Sequence, residues 1–190
     1  MDLSHLILWI TELTLCVLTR YIATVNKIQN KELPLRPNVC MLVFNEEGKL
    51  FLGERKGEPN IWQFPQGGAE KGLSLEENVY KELSEELGAS KKHFEIVKKL
   101  KATHEYNFKH PPAYAKNKWR GQSQTFWLVK FLGKDTELDL AKHNPEFMDF
   151  KWCSLAQVRK LADPIRVSGY ENALKEAAKL IKKDYDPPKG

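Results

Sequence analysis

The fold class predicted by this sequence is a layered α/β or α+β domain, on three observations. Short apolar runs of strand length recur between residues 39 and 132. One amphipathic segment with helix-start and helix-stop signals interrupts them at 74–88. Two further stretches that open on capping signatures close the chain.

Each element can be justified in order. Residues 39–44 (VCMLVF) are a continuous apolar run that ends at the turn sequence NEEGK, and KLFLGER follows at 49–55. The pair predicts a hairpin of buried strands. WQFPQGG (62–68) predicts a strand entering a Pro/Gly loop. In the next segment Ser74 and Glu77 make an S-x-x-E capping box, and Gly88 stands where a left-handed C-terminal glycine belongs. Residues 95–106 and 122–132 predict longer strands, with Phe126, Trp127 and Phe131 as core. Ser154 with Gln157, and Ser168 with Glu171, predict two more helix starts.

Ahead of these elements, residues 3–25 are the most hydrophobic stretch of the chain. Asp2 replaces the basic start of a secretory signal, and no A-x-A site follows. The length admits a membrane span, but Glu12 near the centre and Arg20 near the end oppose one, at about 2.5–3.5 kcal/mol for a central charge. The alternatives to a span are a helix packed on the domain, an interfacial helix in contact with a membrane, or an extension without function. Residues 26–37, with Pro34 and Pro37, read as a linker. The expected organisation is an extension and linker over 1–34, a domain over 35–184 and a tail over 185–190.

A chain of 190 residues excludes a large multidomain enzyme, and 42% hydrophobic with 29% charged residues excludes wholesale disorder. The net charge of +5 is distributed unevenly: residues 31–90 carry −4, residues 91–134 carry +9, and the two ends are neutral. That polarity fits a carboxylate cluster facing an anionic ligand across bound metal. Cys16, Cys40 and Cys153 form no CxxC pair, so neither a disulfide framework nor a zinc site is implied, and a reducing cytoplasm is the expected setting.

The chemistry concentrates in the segment after Gly67-Gly68. At about 100° per residue, Leu75, Val79, Leu83 and Leu87 form an apolar stripe, and Glu82, Glu85 and Glu86 occupy the neighbouring sector at i, i+3, i+4. Like charges so spaced cost about 0.2–0.5 kcal/mol per pair, which a hard divalent cation with oxygen ligands would offset. By itself such a cluster reads first as a solvated acidic face with Lys81 as partner; it is the Pro-Gln-Gly-Gly loop at fixed distance before it that favours the metal.

The Gly-Gly loop and the carboxylates together resemble the Nudix box, G-x5-E-x7-R-E-U-x-E-E-x-G-U, with Gly67 as its first glycine and residues 81–89 (KELSEELGA) as its end. Two positions depart: the early Glu of the pattern is Leu73, and its Arg is Lys81. In the family that Arg orients the following Glu, with support from the early Glu. RPNV (36–39), NIWQFPQGG (60–68), KWRGQSQTFW (118–127) and NPEFMDFKW (144–152) extend the similarity to the branch of bacterial RNA pyrophosphohydrolases and dinucleoside polyphosphate hydrolases.

The resemblance implies an α/β/α sandwich around a mixed sheet. It implies divalent metal, Mg²⁺ first and Mn²⁺ as an alternative, held by Glu82, Glu85, Glu86 and a carbonyl at Gly67 or Gly68, with Glu146 as a further ligand or base. The reaction implied is removal of pyrophosphate from the 5′-triphosphate end of RNA, leaving a monophosphate and promoting mRNA decay. The alternatives are hydrolysis of free dinucleoside polyphosphates or nucleoside triphosphates, and an inactive binding module. Arg36, Arg55, Gln66, Lys118, Arg120, Gln122, Gln124 and Arg166 are the expected substrate-binding residues. In the branch, Arg36 matches an arginine that recognises the RNA 5′ end, and Ile165-Arg166 matches a Phe-Lys pair that contacts bases.

Overall fold

The computed structural model describes Leu15, residues 17–22, Thr24 and residues 33–184. The described residues between 15 and 24 are helical, as expected, and Leu15, Val17, Leu18, Tyr21 and Ile22 are exposed. Glu12, Cys16 and the tail over 185–190 lie outside the described residues. Among the described residues no helix is long and apolar enough to cross a membrane.

The chain forms two compact units, one of residues 1–35 with 107–121 and one of residues 36–106 with 122–190. In the smaller unit the Arg120 N–H donates to the Pro34 carbonyl (3.0 Å), and the Phe108 N–H donates to the Arg120 carbonyl (2.9 Å). Turns through Pro112, Ala115 and Lys118, with Asn117 left-handed at φ 61°, fold the intervening segment back.

The larger unit holds the layers. Seven strands run β1 (Leu35–Phe44), β2 (Leu50–Arg55), β3 (Trp62–Gln63), β4 (Gln66–Gly68), β5 (Phe94–Asn107), β6 (Gly121–Phe131) and β7 (Phe147–Cys153). The helices are α1 (Leu75–Leu87), α2 (Leu155–Leu161) and α3 (Pro164–Asp184). The sheet order is β3-β2-β1-β6-β5, with β4 paired to β1 and β7 to β2. The expected hairpin is present, with Phe44 opposite Leu50.

Strand alternation explains the two cores. Cys40, Leu42, Leu50, Leu52, Phe126 and Leu128 face one side, against Val158 of α2 and Tyr170, Ala173, Leu174 and Ala177 of α3. Val39, Met41, Val43, Phe51, Trp127, Val129 and Phe131 face the other, against Val79, Leu83 and Leu87 of α1. A strand buried on both faces has no polar side, which is why 39–44 reads as an unbroken apolar run. The expected core positions Phe126, Trp127 and Phe131 and the buried thiols Cys40 and Cys153 are all found.

Two helix starts are as expected. Ser74 accepts from the Glu77 N–H and Ser154 from the Gln157 N–H, both in complete capping boxes. The third is not. α3 begins at Pro164, so Ser168 lies inside it. Asp163 takes the capping role: its Oδ1 accepts from the Ile165 N–H (3.0 Å), and its carbonyl accepts from the Arg166 and Val167 N–H groups. Proline suits a first helical position because its missing N–H would have had no partner there. Glu171 instead turns outward to Arg159 (2.8 Å).

Candidate active site

The site begins with the stripe of α1. Val79, Leu83 and Leu87 are fully buried against the sheet, and Glu86, three residues after Leu83, is carried onto the buried flank, where it is 2% exposed. Its Oε2 accepts the Gln66 N–H (3.1 Å). Glu82, one turn earlier, reaches toward β4. A Cβ on Gly67 would fall on the Glu82 carboxyl group, so the glycine allows this approach. Glu85 is more exposed and accepts from Lys81 Nζ (2.6 Å).

A second wall comes from the loop before β7. Gly88 ends α1 in the left-handed conformation at φ 68°, and a side chain there would strike the Asp139 carbonyl. The Asp139 N–H donates to the Leu87 carbonyl (2.9 Å), and Lys142 Nζ donates to the Gly88 carbonyl (2.9 Å). The loop is thereby fastened to the end of α1. Its other end is held by the Lys56 N–H, which donates to the Glu146 carbonyl (2.8 Å). Between these anchors the loop faces the helix, and Glu82, Glu85, Glu86, His143, Asn144 and Glu146 line a cavity of about 260 Å³.

The electrostatics follow from this convergence. Burial pushes the Glu82 pKa up to about 7; Glu85 and Glu146 add to the rise, and Lys81 and Arg36 oppose it. Burial, then the charges of Glu146 and Glu82, hold Glu86 well above the usual carboxyl range. Among the described residues no three His, Cys, Asp or Glu side chains are gathered as a ready-made metal site. Glu85 bonds Lys81, and Glu86 bonds both the Gln66 N–H and the Glu146 carboxyl group. The donor set nonetheless fits a hard divalent cation. It offers four carboxylates with one amide and one imidazole, and the buried Glu86 lies close enough to Glu146 for the two carboxyl groups to share a proton.

The substrate-binding candidates fall into several places. Arg36 lies over β4, where its guanidinium occupies the space a Gly68 side chain would need. Arg55, at the end of β2 and paired with Phe147 of β7, bonds Glu58 (2.9 Å). Gln66 Oε1 accepts from Gln124 Nε2 (2.7 Å), which also donates to Asn38 Oδ1 (3.2 Å). Gln122 is buried and accepts from the Tyr106 hydroxyl (2.8 Å). Arg166, in the first turn of α3, pairs with Asp163 (3.4 Å), and Ile165 beside it is 77% exposed. Lys118 and Arg120 belong to the smaller unit, where Arg120 Nη1 donates to Asn107 Oδ1 (2.7 Å).

Sequence reasoning missed His143 as a lining residue. Its position three residues before Glu146 was the only available signal. It also missed Asn78, which is fully buried. Its Oδ1 accepts the Glu70 N–H (2.8 Å) and its Nδ2 donates to the Ser74 carbonyl (2.8 Å), tying the loop before α1 to the helix. A buried polar residue beside Val79 interrupts the helix pattern and could have been flagged.

The fold and site have recognisable relatives. The NUDIX domain model matches residues 34–173. An RNA pyrophosphohydrolase of Pelagibacter ubique is 35% identical over 154 residues, 78% of this chain and 94% of that protein. One from Rickettsia bellii is 33% identical over 162 residues, 82% of this chain and 99% of its own length. Among solved structures, a binary complex of a C. elegans Ap4A hydrolase aligns with TM-score 0.56 at 19% identity, covering 77% of this chain and 98% of that one. A MutT protein of Methanosarcina mazei Go1 aligns with TM-score 0.55 at 18% identity, covering 78% and 98%. At those identities the structures speak for the α/β/α fold, while the family model and the sequence relatives go further: this chain belongs to the Nudix family of hydrolases.

Proposed function

We propose that this Nudix hydrolase removes pyrophosphate from the 5′-triphosphate end of RNA, leaving a 5′-monophosphate and so promoting mRNA decay in the cytoplasm. The observation that carries the reading is the carboxylate cavity of Glu82, Glu85, Glu86 and Glu146. It lies in a chain whose relatives at 30–35% identity are named RNA pyrophosphohydrolases. The catalytic domain on this reading is 35–184, with 1–34 as an extension and 185–190 as a tail.

A divalent cation, Mg²⁺ or Mn²⁺, would be held by Glu82, Glu85, Glu86 and Glu146 with the Gly67 carbonyl, and when bound would polarise phosphoryl oxygens and water. The residues themselves have distinct tasks. The buried Glu86 brings a carboxyl group up against Glu146, where a cation would replace the proton the two share. Gly67 keeps the backbone bare so that Glu82 can reach the cavity. Glu146 comes from the opposite wall and would serve as a further ligand or as the base that takes a proton from the attacking water. Arg36, Arg55 and Arg166 would supply positive charge for the polyphosphate, and Lys118 and Arg120 are, by the family resemblance, candidates for contact with the RNA backbone. Gln66, Gln122 and Gln124 complete the substrate-binding set. Attack by water cleaves one P–O–P bond, and the released pyrophosphate carries away the leaving oxygen.

The test is incubation of the purified chain and Mg²⁺ with 5′-triphosphorylated RNA, diadenosine tetraphosphate and GTP, with products resolved as pyrophosphate or phosphate. Pyrophosphate release fastest from the RNA is expected. Faster turnover of the free nucleotides would move the assignment to them, and no release from any substrate would leave a binding module.

A further inference from the structure

Two positions of this chain depart from the box pattern, Leu73 for Glu and Lys81 for Arg. Leu73 is 40% exposed in the loop before α1. Lys81 does not lack carboxylate partners for that reason. Its Nζ lies 2.6 Å from Glu85 Oε2 and 3.3 Å from Glu70 Oε1. Glu70 stands three residues ahead of the vacated position and outside the pattern's acidic positions.

Its placement is built. The Glu70 N–H is held by the fully buried Asn78, which also bonds the Ser74 carbonyl, so both ends of the 70–74 loop are tied to α1. Gly72, left-handed at φ 95°, turns the loop, and the Leu73 N–H returns to the Glu70 carbonyl (3.4 Å). On α1, Asn78, Lys81 and Glu85 follow at i, i+3, i+7 and share one face. Glu70, fixed above Asn78, thus reaches the ammonium one turn down.

We propose that Glu70 replaces the carboxylate missing at Leu73 and, through Lys81, positions Glu85 for the cavity. With Glu85 as its only bonded carboxylate, Lys81 would place its whole charge on a group the cavity needs. A second carboxylate on the far side of Nζ shares the ammonium and holds it to one oxygen of Glu85, leaving the other oxygen for a cation. Both acidic side chains are about half exposed, at 53% for Glu70 and 49% for Glu85. The effect therefore falls on ligand orientation rather than on stability. The inference rests on the carboxylate cavity being the metal site.

The experiment measures Mn²⁺ binding directly, by electron paramagnetic resonance of free Mn²⁺, on the full chain and on Glu70→Gln, Glu70→Ala and Glu70→Ala/Leu73→Glu. Melting in EDTA runs alongside. Loss of an outer partner of a metal ligand typically weakens binding 10- to 100-fold, so a rise in Kd of about 10-fold is expected for both single variants. Their melting temperatures should match that of the parent. Restoring a carboxylate at Leu73 should return Kd toward the parent value. Parental Kd in both single variants would overturn the inference while leaving the proposed function standing. Failure of Leu73→Glu to recover binding would overturn the equivalence of the two positions. A parent chain that binds no Mn²⁺ would overturn the proposed function and this inference together.

Discussion

Replacing Glu82 by Gln should stabilise the metal-free protein, in proportion to pH. Burial, with Glu85 and Glu146 adding to it, raises the Glu82 pKa from 4.5 to about 7. The folded chain therefore binds this proton more tightly than the unfolded chain. The stability contributed is fully present below about pH 4.5 and is lost as pH rises through about 7. The full shift corresponds to about 3 kcal/mol, and screening at this partly exposed group lowers that to about 1–2 kcal/mol. Glutamine keeps the shape and carries no titrating proton. In EDTA at pH 8, Glu82→Gln should melt higher than the parent by about 2–8 °C, taking about 2–4 °C per kcal/mol for a domain of this size. At pH 4 the two should melt together. Mg²⁺ at pH 8 should raise the parent and close the gap, because a cation offsets the repulsion that the substitution removes. Calorimetry or circular dichroism across pH 4–8 reads all three effects. Equal melting at pH 8, or the same difference at pH 4 as at pH 8, would refute the argument that the carboxylates are held together against their charge.

Three further outcomes are expected. Glu85→Gln should abolish turnover with melting unchanged, since the side chain is half exposed and packs in no core; full activity would remove Glu85 from the metal site. Gly67→Ala should raise the Mg²⁺ concentration needed for half-maximal rate by about 10-fold or more, because its Cβ takes the place of the Glu82 carboxyl; an unchanged requirement would show that Glu82 need not lie there. Gln124→Ala strands the side-chain oxygens of buried Asn38 and half-buried Gln66 and should cost about 1–3 kcal/mol in urea unfolding; a neutral result would mean that water replaces the amide.

Much of the site was legible because it is local. Residues on one helix have angular positions set by 3.6 residues per turn, so Glu82, Glu85 and Glu86 had to share a sector, and Glu86 had to fall nearest the buried stripe. Glu146 was legible only through resemblance. Nothing in its own spacing brings it to α1; the Asp139 and Lys142 bonds to the end of that helix do. The helix start at Ser168 was misread because its S-x-x-E pattern is also compatible with a helix interior, where the earlier Asp163-Pro164 start prevails.

By itself, then, the sequence determined the layered class, the buried strands and the helical carboxylates, since each depends on periodicities of a few residues; that the core divides in two, one on each face of the sheet, came from the tertiary structure. Which loop backs the carboxylates was decided only by tertiary structure. So was the Gln66 contact with Gln124, from 58 residues away. So was the arrival of Glu70 at Lys81, eleven positions later, in place of a carboxylate at Leu73. Those contacts depend on sheet register and loop path, and no local spacing encodes them.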